Sequence, residues 1–209
     1  MLRNVIIAVT IILPSTSWSA PELSWKHLYK KEGIDVFSAN ITGSNFVAFK
    51  GKVTLPTNPK TLIGIFKDET RWNEWTNLLI TGKILPSLEN SNLIFYQAFK
   101  SPPFIANRDA VYKVAIEGPD KEGAFRVTGQ SVTHPQSPPT IGVRMHIEYS
   151  RWVLTPDRHT TMVELEMHAD PGGLIPAWVV NLVQRKYPFK VLDSLRKFTA
   201  RIVSEKPRP

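Results

Sequence analysis

Between Ile80 and Ala169 apolar and polar residues alternate with period two, stretch after stretch, and beyond Ile175 the spacing changes to that of one amphipathic helix. The alternating stretches are residues 80–85, 93–99, 109–117, 125–133, 141–154 and 160–169. Turn-forming clusters at Glu89-Asn90-Ser91-Asn92, Gly118-Pro119-Asp120 and Pro156-Asp157-Arg158 separate them, as an antiparallel meander requires. Such a meander has one apolar face to cover. The helical stretch, residues 175–203, supplies a matching stripe through Ile175, Trp178, Leu182, Phe189, Leu192 and Phe198, with Arg185, Lys190, Lys197 and Arg201 opposite. Pro188 is expected to bend that helix, because it removes a hydrogen bond and crowds the preceding turn. The simplest architecture that buries both faces is α+β: a curved antiparallel sheet against one long C-terminal helix.

The N-terminal part adds to the same sheet. Residues 27–31 and 34–41 read as strands around a tight turn at Glu32-Gly33, and residues 46–55 as a third strand. Asn58-Pro59 then offers an N-cap and a first-turn proline. Leu62, Ile65, Phe66, Trp72, Trp75 and Leu79 follow at helical spacing, which predicts one or two helices over 59–78.

The start of the chain reads differently. Met1-Leu2-Arg3 is a short basic opening, residues 5–13 (VIIAVTIIL) are apolar, and Ser17 and Ser19 are the small residues that a peptidase needs before its cleavage point. Residues 1–19 are therefore expected to be a signal peptide and 20–209 a single domain, in a periplasmic or secreted location. The apolar run is short of the ~20 residues of a membrane span. The chain has 26 Lys plus Arg against 18 Asp plus Glu and no cysteine. Disulfides, thiol catalysis and cysteine-built metal sites are thereby excluded. With export expected, the basic balance points to transient contact with an anionic membrane surface and not to nucleic acid, for which no arginine-rich or RNP-like motif is present.

Two motifs carry a resemblance. Ser101-Pro102-Pro103-Phe104-Ile105-Ala106-Asn107-Arg108-Asp109-Ala110-Val111-Tyr112 and Asp170-Pro171-Gly172-Gly173-Leu174-Ile175-Pro176-Ala177-Trp178-Val179-Val180-Asn181 resemble the P-F-x-x-N-R-D-x-V-Y and D-P-G-G-x-I-P-x-W stretches of the START (StAR-related lipid-transfer) family, in the same order. Arg71-Trp72-Asn73-Glu74-Trp75 is similar to that family's R-x-x-W region. The resemblance implies a helix-grip fold, in which the sheet wraps the C-terminal helix around an enclosed apolar cavity. It also implies a lipid ligand, phospholipid, sterol or similar, carried between membranes or to a partner protein by a monomer with no cofactor. A cavity enzyme of the cyclase or aromatase type, and a lipid-sensing module that transfers nothing, are the alternatives.

Candidate ligand contacts follow from strand parity and the resemblance. Counting back from Ile116, Val114 and Tyr112 places Arg108 on the inner face. There it either meets a lipid headgroup, as the resemblance implies, or pairs with Asp109 or a loop carbonyl. The same alternation sends Met145 and Tyr149, and Leu165 and Met167, to the cavity, and the helix adds Trp178 and Leu182. Tyr96, Tyr112 and Tyr149 are candidates to cage a quaternary ammonium. No hydrolase, zincin, Walker or dinucleotide-binding motif occurs, and the five histidines are scattered, so neither a catalytic residue nor a metal site is expected. Gly172-Gly173 and Pro188 mark the ends of a segment expected to hinge as the cavity's gate.

Overall fold

The computed structural model describes residues 23–76, 78–87 and 92–205; the expected signal peptide and most of the turn at 89–92 lie outside them. Ten strands form one sheet: β1 (Lys26–Lys31), β2 (Ile34–Ala39), β3 (Ala48–Leu55), β4 (Leu79–Leu85), β5 (Leu93–Phe99), β6 (Arg108–Glu117), β7 (Phe125–Ser131), β8 (Val143–Arg144), β9 (His146–Asp157) and β10 (Thr160–Asp170). The order across it is β1-β2-β3-β10-β9-β7-β6-β5-β4, with the short β8 parallel to β6. All other pairings are antiparallel, so the last strand closes against the third and the meander is complete.

Local chemistry accounts for the elements. Glu32 and Gly33 have φ of 49° and 77°, the mirror-image turn whose twist matches the strands it joins. Helix α1 (Pro59–Lys67) begins where the Asn58 side chain accepts a hydrogen bond from Thr61 N at 2.9 Å, with Pro59 in the first turn. It buries Leu62, Ile63, Ile65 and Phe66. A 3-10 turn (Glu69–Arg71) leads into the single-turn α2 (Trp72–Trp75), pinned by Trp72, whose indole Nε1 donates to Phe66 O at 3.0 Å.

The C-terminal helical region is two helices, α3 (Ala177–Gln184) and α4 (Tyr187–Ser204), and not one bent helix. Pro188 sits in the first turn of α4, where a missing N–H costs nothing. It starts the second helix instead of kinking the first. α4 fills the concave side of the sheet with Leu192, Leu195 and Phe198, all within 3 % of full burial. It packs tightly over Gly51 of β3, where an added Cβ would lie 2.6 Å from Leu192 Cδ1. α3 is held differently, since Val180 is its one buried residue. No helix among the described residues is long and apolar enough to cross a membrane.

Candidate functional site

Between the concave face of the sheet and α2, α3 and α4 lies a cavity of about 610 Å³. Burial of alternate residues builds its wall. Phe95, Gln97 and Phe99 of β5 line it together with their cross-strand neighbours Tyr112 and Arg108 of β6, and Leu165, Met167 and Ala169 contribute from β10. Phe66, Trp72, Trp75 and Trp152 form an aromatic end, with ring centroids 5.0 Å apart for Phe66–Trp152 and 4.7 Å for Trp72–Phe95. Most of the surface is apolar, as a lipid chain would require.

Of the residues expected to contact a ligand, Arg108, Tyr112, Met145, Leu165 and Met167 line the cavity, and Tyr96, Tyr149, Trp178 and Leu182 do not. Each exception has a structural cause. Tyr96 has the opposite parity to Tyr112 on the paired strands, and it packs on the outer face with its hydroxyl 3.3 Å from Asp109 Oδ2. A register shift pairs His168 with Tyr149 but Ala169 with Ile147, so one residue of β9 is extra. This bulge swaps the faces: Ile147 points into the cavity, Ser150 and Trp152 take over beyond it, and Tyr149 turns outward beside His168. The three tyrosines therefore form no cage. Met145 reaches the wall from the break between β8 and β9, outside any strand. Trp178 and Leu182 are 71 % and 51 % exposed, and α3 turns Val179, Val180 and Val183 inward instead. In a helix of sequence AWVVNLVQ nearly every position is apolar, so spacing does not single out a buried face.

Arg108 points inward, as its parity predicts, and is 7 % exposed. Its guanidinium donates to three backbone carbonyls: Nε to Pro171 O at 3.0 Å, Nη2 to Gly172 O at 3.1 Å, and Nη1 to Ala106 O. Burial pulls its pKa below the usual arginine range without a carboxylate to offset the effect. Asp109, fully buried, is committed elsewhere: Arg144 Nε and Nη2 donate to it at 2.6 and 3.1 Å, and Ile141 N at 2.8 Å. The loop-carbonyl arrangement is thus the one found. It ties β6 to the Pro171–Gly173 turn, where Gly172 and Gly173 have φ of 63° and 75°, a conformation that disfavours any side chain.

Further polar clasps hold α3. The Asn181 side chain accepts from Val47 N at 3.1 Å and donates to Asn45 O at 3.2 Å, Gln184 Nε2 donates to Ala169 O at 3.2 Å, and Tyr29 OH donates to Arg185 O at 3.2 Å. Deep in the wall Tyr112 OH donates to Gln97 Oε1, and burial raises the phenol's pKa well above its usual range, so it stays a donor. Sequence reasoning missed Gln97, Lys100, Trp152 and Lys190. A glutamine between Phe95 and Phe99 on an apolar face was a readable signal; the two lysines gave none.

The START domain profile matches residues 19–204. The chain is 27 % identical over 164 residues to the phosphatidylcholine transfer protein of Bos taurus, covering 76 % of each. It is 23 % identical over 203 residues to an uncharacterized protein of Pseudomonas aeruginosa, covering 94 % of this chain and 96 % of that one. Among solved structures, the STAR-related lipid transfer protein from Xanthomonas axonopodis superposes with a TM-score of 0.75 at 28 % identity, covering 84 % of this chain and 98 % of its own. Human STARD10 gives 0.76 at 19 %, covering 86 % and 74 %.

Proposed function

Because the chain belongs to the START-domain family, we propose that it takes one lipid molecule into the cavity between sheet and helices and carries it between membranes. The observation that carries this reading is the cavity itself: about 610 Å³ of apolar space that a protein stabilised only by packing would have filled. No Asp, Glu or His lines it among the described residues.

The surface around the opening supports a bilayer as the place of loading. Phe104, Leu174 and Trp178 are 108 %, 104 % and 71 % exposed, and their chain neighbours Pro103, Ile105, Ile175 and Val179 line the cavity. Phe104 also holds a φ of 68°, a costly conformation for a bulky side chain that buries nothing in water. Arg185 and Lys186 are exposed just past the end of α3, the helix that carries Trp178, and add positive charge for an anionic headgroup layer. The leader-like residues 1–19 favour export, so the membranes served would lie outside the cytoplasm, and the protein works as a monomer.

Native mass spectrometry with lipid extraction, followed by transfer of labelled lipid between vesicles, tests the proposal. One lipid per chain and accelerated transfer are expected. A chain that stays empty against phospholipids, sterols and fatty acids refutes it, and one that binds lipid without speeding transfer reduces it to a holding or sensing role.

A further inference from the structure

The charged groups that line the cavity are all of one sign. Lys100, Arg108 and Lys190 are on its wall, and no carboxylate is among the described lining residues. Their situations differ. Arg108 is buried and gives three of its five N–H groups to the carbonyls of Pro171, Ala106 and Gly172, so it cannot turn to a headgroup without releasing them. Lys100 and Lys190 both line the cavity and are exposed, which puts their ammonium groups where the wall meets solvent. Neither forms an ion pair with a described carboxylate, although most other basic residues of the C-terminal helices do: Arg196 and Lys197 with Asp193, and Arg201 with Glu74. The wall carries no negative group to pair with a quaternary ammonium, whose contacts there are limited to the faces of the aromatic end.

We infer that the cavity selects net-anionic amphiphiles over neutral and zwitterionic ones, and that Lys100 and Lys190 are the counter-charges for the headgroup. The inference rests on the lipid-carrier reading and narrows its ligand class to molecules bearing an uncompensated phosphate or carboxylate. The apolar chain enters between the aromatic end and α3 while the anion stays near water, where its desolvation is least costly. This leaves the Arg108 carbonyl contacts intact, so headgroup recognition and the tie to the Pro171–Gly173 turn belong to different residues.

The test compares ligands that share chains and differ in charge: oleic acid against oleyl alcohol, and dioleoyl phosphatidic acid against dioleoyl phosphatidylcholine, each measured below its aggregation threshold by displacement of a fluorescent apolar probe. The wild-type chain is expected to prefer the anionic member of each pair. Lys100→Gln and Lys190→Gln are expected to weaken anionic binding roughly fivefold each, as partly solvated ion pairs do, and to leave the neutral ligands unchanged. Lys67→Gln, with the same loss of charge on α1, should change neither. Equal binding within each pair, or an anionic preference that survives Lys100→Gln/Lys190→Gln, overturns the inference while the lipid-carrier reading stands. If the apolar probe itself does not bind, the carrier reading falls and the inference with it. Preference for oleic acid alone, or for phosphatidic acid alone, assigns the anion as carboxylate or phosphate.

Discussion

Arg108→Leu separates anchoring from ligand recognition. Two of the three carbonyls that Arg108 holds, Pro171 O and Gly172 O, belong to the turn that leads into α3, more than sixty residues along the chain. Hydrogen bonds from a charged donor contribute about 1.5–3 kcal/mol each. Leucine also removes the cost of keeping a guanidinium out of water, so the net loss for the two contacts is about 2 kcal/mol. The cost falls on one place. β10 keeps its ladder to β3 and β9, and α4 keeps Leu192, Leu195 and Phe198 in the core. α3 retains Val180 and the Asn181, Gln184 and Tyr29 clasps. Opening of α3 should therefore become roughly thirtyfold more frequent while global stability changes little. Hydrogen–deuterium exchange reads this directly: amides of residues 177–184 should exchange about thirtyfold faster in the variant, and those of residues 161–167 at the wild-type rate. Release of preloaded lipid should accelerate in parallel. Unchanged exchange in α3, or equal acceleration in β10, would refute a local anchoring role for Arg108.

Three further outcomes are expected. Gly51→Val drives side-chain atoms into Leu192 Cδ1 and Pro188 Cβ, 2.6 and 3.0 Å from the added Cβ. It should destabilise by about 1–3 kcal/mol in denaturant titration, and Leu192→Ala in the same chain should recover part of this, whereas strict additivity would show that the contact is not the cause. His168 shares a 3.1 Å hydrogen bond with Ser44, and burial holds its pKa below the usual histidine range despite Glu148 and Asp170 nearby. The unfolded chain then binds more protons as pH falls through 6.5, so stability should decline below that pH and His168→Gln should flatten the decline; an identical slope in both chains rules His168 out as its source. Binding to anionic vesicles should weaken as salt rises to physiological strength, where screening acts within ~8 Å, and Trp178→Ala should cost about 1–2 kcal/mol of the residual affinity; binding indifferent to both changes would place the docking face elsewhere.

The sheet was legible because alternation survives in a strand with one wet face, and the hairpin at Glu32-Gly33 and the Asn58-Pro59 helix start were legible because each is a local device. The inward Arg108 followed from parity alone. Its partners did not, since Pro171 and Gly172 reach it only once β6 and the end of β10 share a sheet. Parity failed at Tyr149 for a definite reason: one extra residue in β9 reverses every assignment downstream of it, and nothing in the alternation marks where the insertion falls. The sequence predicts a bend at Pro188 because one apolar stripe runs through it. A proline opens a helix as readily as it breaks one, and the choice is made by how the preceding residues pack.

The pairing of β3 with β10 has a consequence for synthesis. Val53 meets Val163, and Leu165 meets Gly51, so the strands made first gain their inner neighbour only when the eleventh-hour segment of the chain arrives. Until then the ribbon β1-β2-β3 has a second raw edge, along β3, besides the one β1 keeps in the finished sheet. A ribosome working at ~5–20 residues per second leaves that edge bare for seconds. The wall of the cavity that β3 and β10 share is therefore complete only when a loop of more than a hundred residues has closed, the costliest kind of contact to form early.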